Sequence, residues 1–462
     1  MKQNRKIKQL VISDENDLTF GKAPHPVECG KGLVIGGGQV YPEINFTLPS
    51  MTVEEDTWQE VRNQYSTIIE EICQRAVVLE TSGIVVEFEL LPPMTLNPQW
   101  GAEITQILRN TLDNYYEKDG LRSALRVTPV DVRDAERPPR MRNGKFWDKT
   151  YRSFELCAEA GADMLSIEST GGKEIHDEAL MQGDLAGLIF ALGSLGARDM
   201  KFLWSHIVDI ANKYNVIPAG DTACGFANTA MVLAEKKMIP RVLAAVDRVA
   251  SVARTLQGHL EGAVGPTKDC AYEGPYLKAL CGIPISMEGR SSACAHLSTV
   301  GNIAGACCDV WSNESVQNVR LLSANAPVVS LEQLIYDCRL YNTAIEAGND
   351  YSENYRKMLI ESDLHLDPQA YVLSPEVVIR IAEKLVKCET PLAMTIQSAR
   401  ETVKIIEQAY NNKELNLNKG DIRWLGLMKT QLETIPEDES QLLENIKSGP
   451  LANKFLPEEY GL

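Results

Sequence analysis

Three stretches of the chain place a metal-binding or nucleophilic side chain just past a short apolar run. In Asn215–Met231, NVIPAGDTACGFANTAM, the first five residues read as a buried strand and Gly220-Asp221 as a turn. Thr222 can cap the helix that Cys224 opens. A thiol beside the free N–H groups and positive dipole end of a helix is biased toward thiolate, the form that attacks or binds metal. A second strand, Met164–Ile167, ends at Glu168 and is followed by Ser169-Thr170-Gly171-Gly172. A third strand-like run within Gln257–Gly265 leads into Pro266-Thr267-Lys268-Asp269-Cys270. One carboxylate and two thiols, each just past a strand, could together make a three-ligand metal site with an open position. Zinc accepts this donor set, whereas magnesium takes oxygen donors and iron–sulfur clusters take four cysteines. The residues alone leave the bland reading open: a cysteine is commonly a small buried hydrophobe, and Glu168 has Lys173 near it in sequence.

Other reactive residues are weaker candidates. Cys294-Ala295-His296 and Cys307-Cys308 form a local cluster, but adjacent cysteines do not match the spacing of zinc fingers. The small residues of Thr299–Val310 read as a close-packed helix. His176, His206 and His259 are acid/base candidates, with His206 placed near the site mouth after a short strand at Phe202–Trp204. Glu273 and Glu288 stand near strand ends and are secondary candidates for moving a proton. The chain carries no GxGxxG, HExxH or Ser-His-Asp signature.

The elements that must position these groups alternate in type. Strand-like runs at Ile84–Glu89, Ser123–Val127 and Pro284–Met287 are interleaved with helical periods over Val53–Val77, Trp100–Tyr116, Phe146–Ala160 and Arg241–Leu256. The alternation implies βαβ units approaching eight, hence a (β/α)₈ TIM barrel whose loops gather at the C-terminal ends of the strands. The first 50 residues read as irregular, and strands vanish beyond Val329, leaving a C-terminal helical region. The expected division is an N-terminal segment (1–78), a barrel core (79–328) and a helical region (329–462). A length of 462 residues accommodates that plan.

A net charge of −17 argues against a nucleic-acid partner. No run approaches the about 18 apolar residues of a membrane span, and the start lacks the apolar core of a secretory signal. Eleven cysteines, an odd number without scaffold spacing, point to a reducing cytoplasm.

The motifs GADMLSIESTGGKE, AGDTACGFANTAM, EGAVGPTKDCAYE, MEGRSSACAH, CCDVWSNES, NPQWGAEI and the terminal LPEEYGL together resemble the zinc-containing catalytic subunit of the methanol:corrinoid methyltransferases. The likeness runs through nearly the whole chain in one order. It implies a TIM barrel with a helical addition and one zinc per chain held by Glu168, Cys224 and Cys270, which would also be the catalytic residues. It implies that methanol gives its methyl group to a Co(I) corrinoid supplied by a partner protein docking at the C-terminal face of the barrel. Asn97, Trp100 and Arg126 are candidate docking or pocket residues, with loop scaffolding and a salt bridge as the alternatives. A homodimer is expected from the same likeness. Two other functions stay open: zinc-dependent demethylation of another O-methyl donor, such as a methoxylated aromatic, or a zinc-stabilised subunit without turnover. Methylation of cobalamin with each donor separates them.

Overall fold

The structure is a computed structural model and describes residues 7–47, 51–270, 272–289, 299–316 and 319–462. Nine strands are present among them. A hairpin of β1 (Lys22–Cys29) and β2 (Leu33–Gly37) precedes β3 (Tyr41–Thr47), β4 (Ile84–Glu89), β5 (Ser123–Thr128), β6 (Met164–Ile167), β7 (Ile217–Asp221), β8 (Ser286–Glu288) and β9 (Val310–Val316). The last seven form one parallel sheet in the order β7-β6-β5-β4-β3-β9-β8. The described part of the first 50 residues is therefore not irregular: β3 lies within the sheet, between β4 and β9. Likewise Thr299–Val310 is not a helix but a short 3₁₀ turn leading into β9.

The expected closed TIM barrel is corrected by this topology. The sheet is an open, strongly curled half-barrel whose edges stand 9 Å apart. Two runs read as strands supply helix instead: Phe202–Trp204 lies in Ala197–Tyr214, and most of Gln257–Gly265 lies in Val252–Glu261. Where a closing strand would run, Val264 and Gly265 donate to the carbonyls of Pro218 and Ala219 on β7, at 2.9 and 2.8 Å. Pro266 then has no N–H to continue a ladder. On the far side the Thr267 hydroxyl reaches Ser286, accepting its N–H at 3.1 Å. We call this stretch the seam. Its close approach to β7 requires a glycine at 220, where a Cβ would sit 3.0 Å from the Thr267 Cα.

Side-chain alternation gives the sheet two different faces. Ile44, Phe46, Val86, Phe88, Leu125, Val127, Leu165 and Ile167 point outward into the main core. Helices Ala326–Ala347, Trp58–Val78, Pro98–Asp119, Lys145–Glu159, Ala197–Tyr214 and Val252–Glu261 cover that face, each against the next. The inner face begins apolar: Tyr41, Val85, Ala124, Met164, Ala219 and Val310 pack with Cys29, Leu33 and Ile35 of the hairpin. The hairpin thus plugs the N-terminal end of the half-barrel. Its turn tolerates only glycine at 30 (φ +52°), since a Cβ there would fall 2.1 Å from the Ser123 carbonyl oxygen. Above this floor the inner face becomes polar, with Glu43, Glu87, Arg126, Ser166, Ser286, Glu288 and Ser312 all buried. Helices Pro375–Leu385, Pro391–Asn411, Lys419–Thr434 and Glu439–Lys447 form the C-terminal region, with Pro391–Asn411 packed on Arg241–Ala250. No helix among the described residues is long and apolar enough to cross a membrane.

Candidate active site

Glu168 is the first residue past β6, Cys224 the third past β7, and Cys270 ends the seam. One carboxylate oxygen of Glu168 and the two sulfurs all lie within 4.8 Å of one another. The cluster sits at the C-terminal rim. Cys270 is buried, while the Glu168 side chain keeps a quarter (26%) of its surface in solvent, so the cluster opens outward.

Its electrostatics favour a cation. Loss of hydration, reinforced by Glu89, Asp269 and Glu314, outweighs Lys268 and pushes the Glu168 carboxyl up to about 8. The hydrogen bond with Cys270 lowers the Cys224 thiol, but burial and the Glu168 charge prevail and lift it to about 12. Bonded to Cys224 and buried, Cys270 is driven well above the ordinary thiol range. Burial, with the surrounding carboxylates and the bond between the two thiols, keeps protons on all three groups. A divalent metal replaces those protons. Two sulfurs and one carboxylate oxygen are a donor set that zinc accepts, so the residues present fit that ion.

The Glu168 loop is gripped at successive residues. Ser169 donates its N–H to Asp221 Oδ1 at 3.3 Å. Thr170 donates its N–H to Asp131 Oδ2 at 2.8 Å, and Gly172 donates to the Tyr460 hydroxyl at 3.2 Å. The LPEEYGL terminus therefore folds back as a prop for this loop. The Cys224 loop is a single π-helical turn, Cys224–Asn228, followed by helix Thr229–Glu235. Thr222 does not cap it: its hydroxyl makes no hydrogen bond among the described residues. Ala223 N–H is instead taken by Glu273 Oε1 at 2.7 Å. Asn228 Nδ2 lies 3.5 Å from the Cys224 sulfur.

Lys268, wholly buried, joins the site to the polar wall. Its Nζ lies 3.1 Å from Glu87 Oε1 and 3.4 Å from both Glu89 Oε2 and Glu168 Oε1, and it also bonds Asp269. Burial raises Asp269, but Lys268 outweighs it and holds the carboxyl below its usual range. Asp269, Cys270 and Glu288 again present donor atoms within 4.8 Å of one another. The reading of the residues passed over Lys268, Asp269, Glu87 and Glu89. The sequence signal is Val85-Val86-Glu87-Phe88-Glu89: acids at every second position of a strand otherwise apolar belong to one lined face.

The remaining candidates fall elsewhere. Arg126 is no docking residue: fully buried, it donates to Glu43 at 2.7 Å, Ser166 at 2.9 Å and the carbonyls of Pro266 and Thr267. Trp100 stacks on Trp58 at 4.6 Å, and Asn97 joins two helices in the loop after β4. His206 lies on the outer helix Ala197–Tyr214, against Trp147 and Phe202. His176 is buried between Asp177 and Asp247, its ring edge-on to Phe226. His259 is buried under the seam, its Nδ1 3.2 Å from the Ala263 carbonyl. Glu273 is a buried hydrogen-bond acceptor, and Glu288 sits beside Cys270. Cys307 and Cys308 are core residues; Cys294 and His296 lie outside the described residues.

A family model described as MtaB, methanol-cobalamin methyltransferase B subunit, matches residues 4–461. A methanol–corrinoid protein co-methyltransferase from Methanosarcina barkeri (strain Fusaro) is 36% identical over 459 residues, covering 98% of each chain. A chain in the crystal structure of the methanol:cobalamin methyltransferase complex MtaBC from Methanosarcina barkeri superposes with a TM-score of 0.94 at 34% identity, over 99% of this chain and 100% of that one. With matches that leave almost no residue uncovered, the chain belongs to the methanol-cobalamin methyltransferase B-subunit family.

Proposed function

We infer that the chain activates methanol, transferring its methyl group to the Co(I) corrinoid of a partner protein. The observation that carries this reading is the end-to-end family match. The reaction balances as methanol, Co(I) corrinoid and one proton giving methyl-Co(III) corrinoid and water. Cobalt must approach the methyl carbon from the side opposite the oxygen, so the oxygen lies inward and the methyl group faces the mouth. Glu168, Cys224 and Cys270 would hold a zinc ion. That ion would act as a Lewis acid, drawing charge from the alcohol oxygen and easing C–O cleavage. Lys268 engages one oxygen of the Glu168 carboxylate and so limits how that group can turn. The apolar floor closes the interior from below and keeps water from reaching the site by that route.

The corrinoid protein would dock at the C-terminal rim, where Glu168 meets solvent. A homodimer, resting on the family likeness, and a cytoplasmic location, resting on the odd cysteine count without scaffold spacing, complete the proposal. The test is a donor panel: zinc-loaded enzyme, reduced cobalamin, and either methanol or a methoxylated aromatic. Methyl–cobalt absorbance with methanol is expected. A signal only with the aryl ether would move the substrate, and none with either donor would remove the catalytic reading.

A further inference from the structure

Arg254 lies on helix Val252–Glu261 and is wholly buried, with its guanidinium between two of the donor loops. Nη2 donates to the Ser169 carbonyl at 2.7 Å and to its hydroxyl at 2.6 Å. Nη1 donates to the Thr222 carbonyl at 3.3 Å. Ser169 directly follows Glu168, and Thr222 stands two residues before Cys224. Asp221, 3.6 Å from Arg254 Nη2, takes the N–H groups of the same two residues, Ser169 at 3.3 Å and Thr222 at 2.7 Å. One ion pair thus holds both the N–H and the carbonyl of one residue near each of the two ligands, Ser169 and Thr222. The guanidinium carbon also lies 4.6 Å from the ring centroid of Phe226, two residues past Cys224.

The third loop is tied to the same helix. Glu273, three residues past Cys270, accepts the Ala223 N–H at 2.7 Å and the hydroxyl of Thr255, the neighbour of Arg254, at 2.8 Å, both through Oε1. Every one of these bonds ends within three residues of a donor group, on three separate loops, past the last ladder pair of β6 and β7, Ile167 with Asp221. A buried ion pair contributes little net stability compared with apolar packing of the same volume, so stability alone does not account for the placement.

We propose that Arg254, with Asp221 and Glu273, is a positioning residue that sets the distances among Glu168, Cys224 and Cys270. The proposal rests on the reading of those three as metal ligands. It is tested with Arg254→Met, Glu273→Met and Glu273→Gln, each loaded with zinc and challenged with a chelator well below its melting temperature. Each is also loaded with Co(II), whose thiolate charge-transfer bands report the metal geometry directly. Both Met variants are expected to bind metal about 10- to 100-fold more weakly, as for groups that orient metal ligands, and to shift the Co(II) bands. Glu273→Gln keeps an acceptor for Ala223 and is expected to stay close to wild type in both readouts. Should Arg254→Met fail to fold, the contrast between Glu273→Met and Glu273→Gln decides the matter. Folded Met variants with wild-type affinity and spectra overturn the positioning role alone. A wild-type protein that takes up neither metal overturns the ligand reading and the positioning role together.

Discussion

Strands β6, β5, β4, β3 and β9 are held side by side by backbone hydrogen bonds, whereas the seam, set between β7 and β8, makes two backbone bonds to β7 and meets β8 through the Thr267 hydroxyl. The wall contributes Glu168 to the donor cluster; the seam contributes Cys270 and stands beside Cys224. Ladder geometry is generic and survives most substitutions, because every residue supplies the same N–H and C=O groups. Seam geometry depends on particular residues: the missing N–H of Pro266, the Thr267 hydroxyl, the bare Gly220 and the carboxylates around Lys268. The difference explains how a family fold can stay fixed while the distances at one rim are set independently of it.

The contrast can be broken or sharpened by substitution. The largest effect is expected at the donors: Cys224→Ala should lower methyl transfer by more than about 100-fold, since a bound metal supplies several kcal/mol of charge stabilisation. Metal content after dialysis should fall with it, and retention of both would count against the ligand role. Next comes the bolt between seam and wall. Lys268→Met leaves Glu87, Glu89 and Asp269 without their shared cation, and should cost about 3–5 kcal/mol of stability by denaturant unfolding.

A third effect is read by pH. Burial pushes His259, under the seam, down to about 4. Its unfolded-state value lies near 6.5, so the unfolded chain takes the proton first as pH falls. The stability it contributes is complete above pH about 6.5 and is lost as pH drops toward about 4, by roughly 3 kcal/mol. His259→Gln should remove that part of the acid slope, measured by unfolding between those limits; an unchanged slope would place the titration elsewhere. The smallest effect is expected far from both regions. Thr390 caps helix Pro391–Asn411 through the Ala393 N–H at 3.1 Å. Thr390→Ala should cost about 1 kcal/mol and leave chelator resistance unchanged.

How much of this was legible in the residues follows the same division. Short, largely apolar runs marked β4, β5 and β6 within a residue, and Met164–Ile167 led directly to Glu168. The two cysteines were found from helix-start and motif grammar rather than from distance, and the structure brings them together with Glu168. β3 and β9 were missed because Tyr-Pro-Glu-Ile-Asn-Phe and Val-Trp-Ser-Asn-Glu-Ser carry polar residues on their inner face, so neither shows the apolar run of a buried strand. Phe202–Trp204 and the run within Gln257–Gly265 were read as strands in error. Leu203 and Trp204 are apolar because a helix buries them, and short apolar runs do not distinguish the two cases. Arg254 left no local signal, and Glu273 stood out for moving a proton and not for the bonds it makes, since their partners are distant in sequence: residues 169 and 222 for one, 223 for the other.

The hairpin under the half-barrel has a kinetic corollary. A vessel stoppered at its base fills and empties through its neck, and on the docking proposed here the neck is also where the corrinoid protein settles. The small alcohol then has to enter before the large acceptor arrives, and the water left behind escapes only after the acceptor has withdrawn. Turnover would follow a compulsory sequence, with excess corrinoid protein trapping the empty enzyme and slowing it.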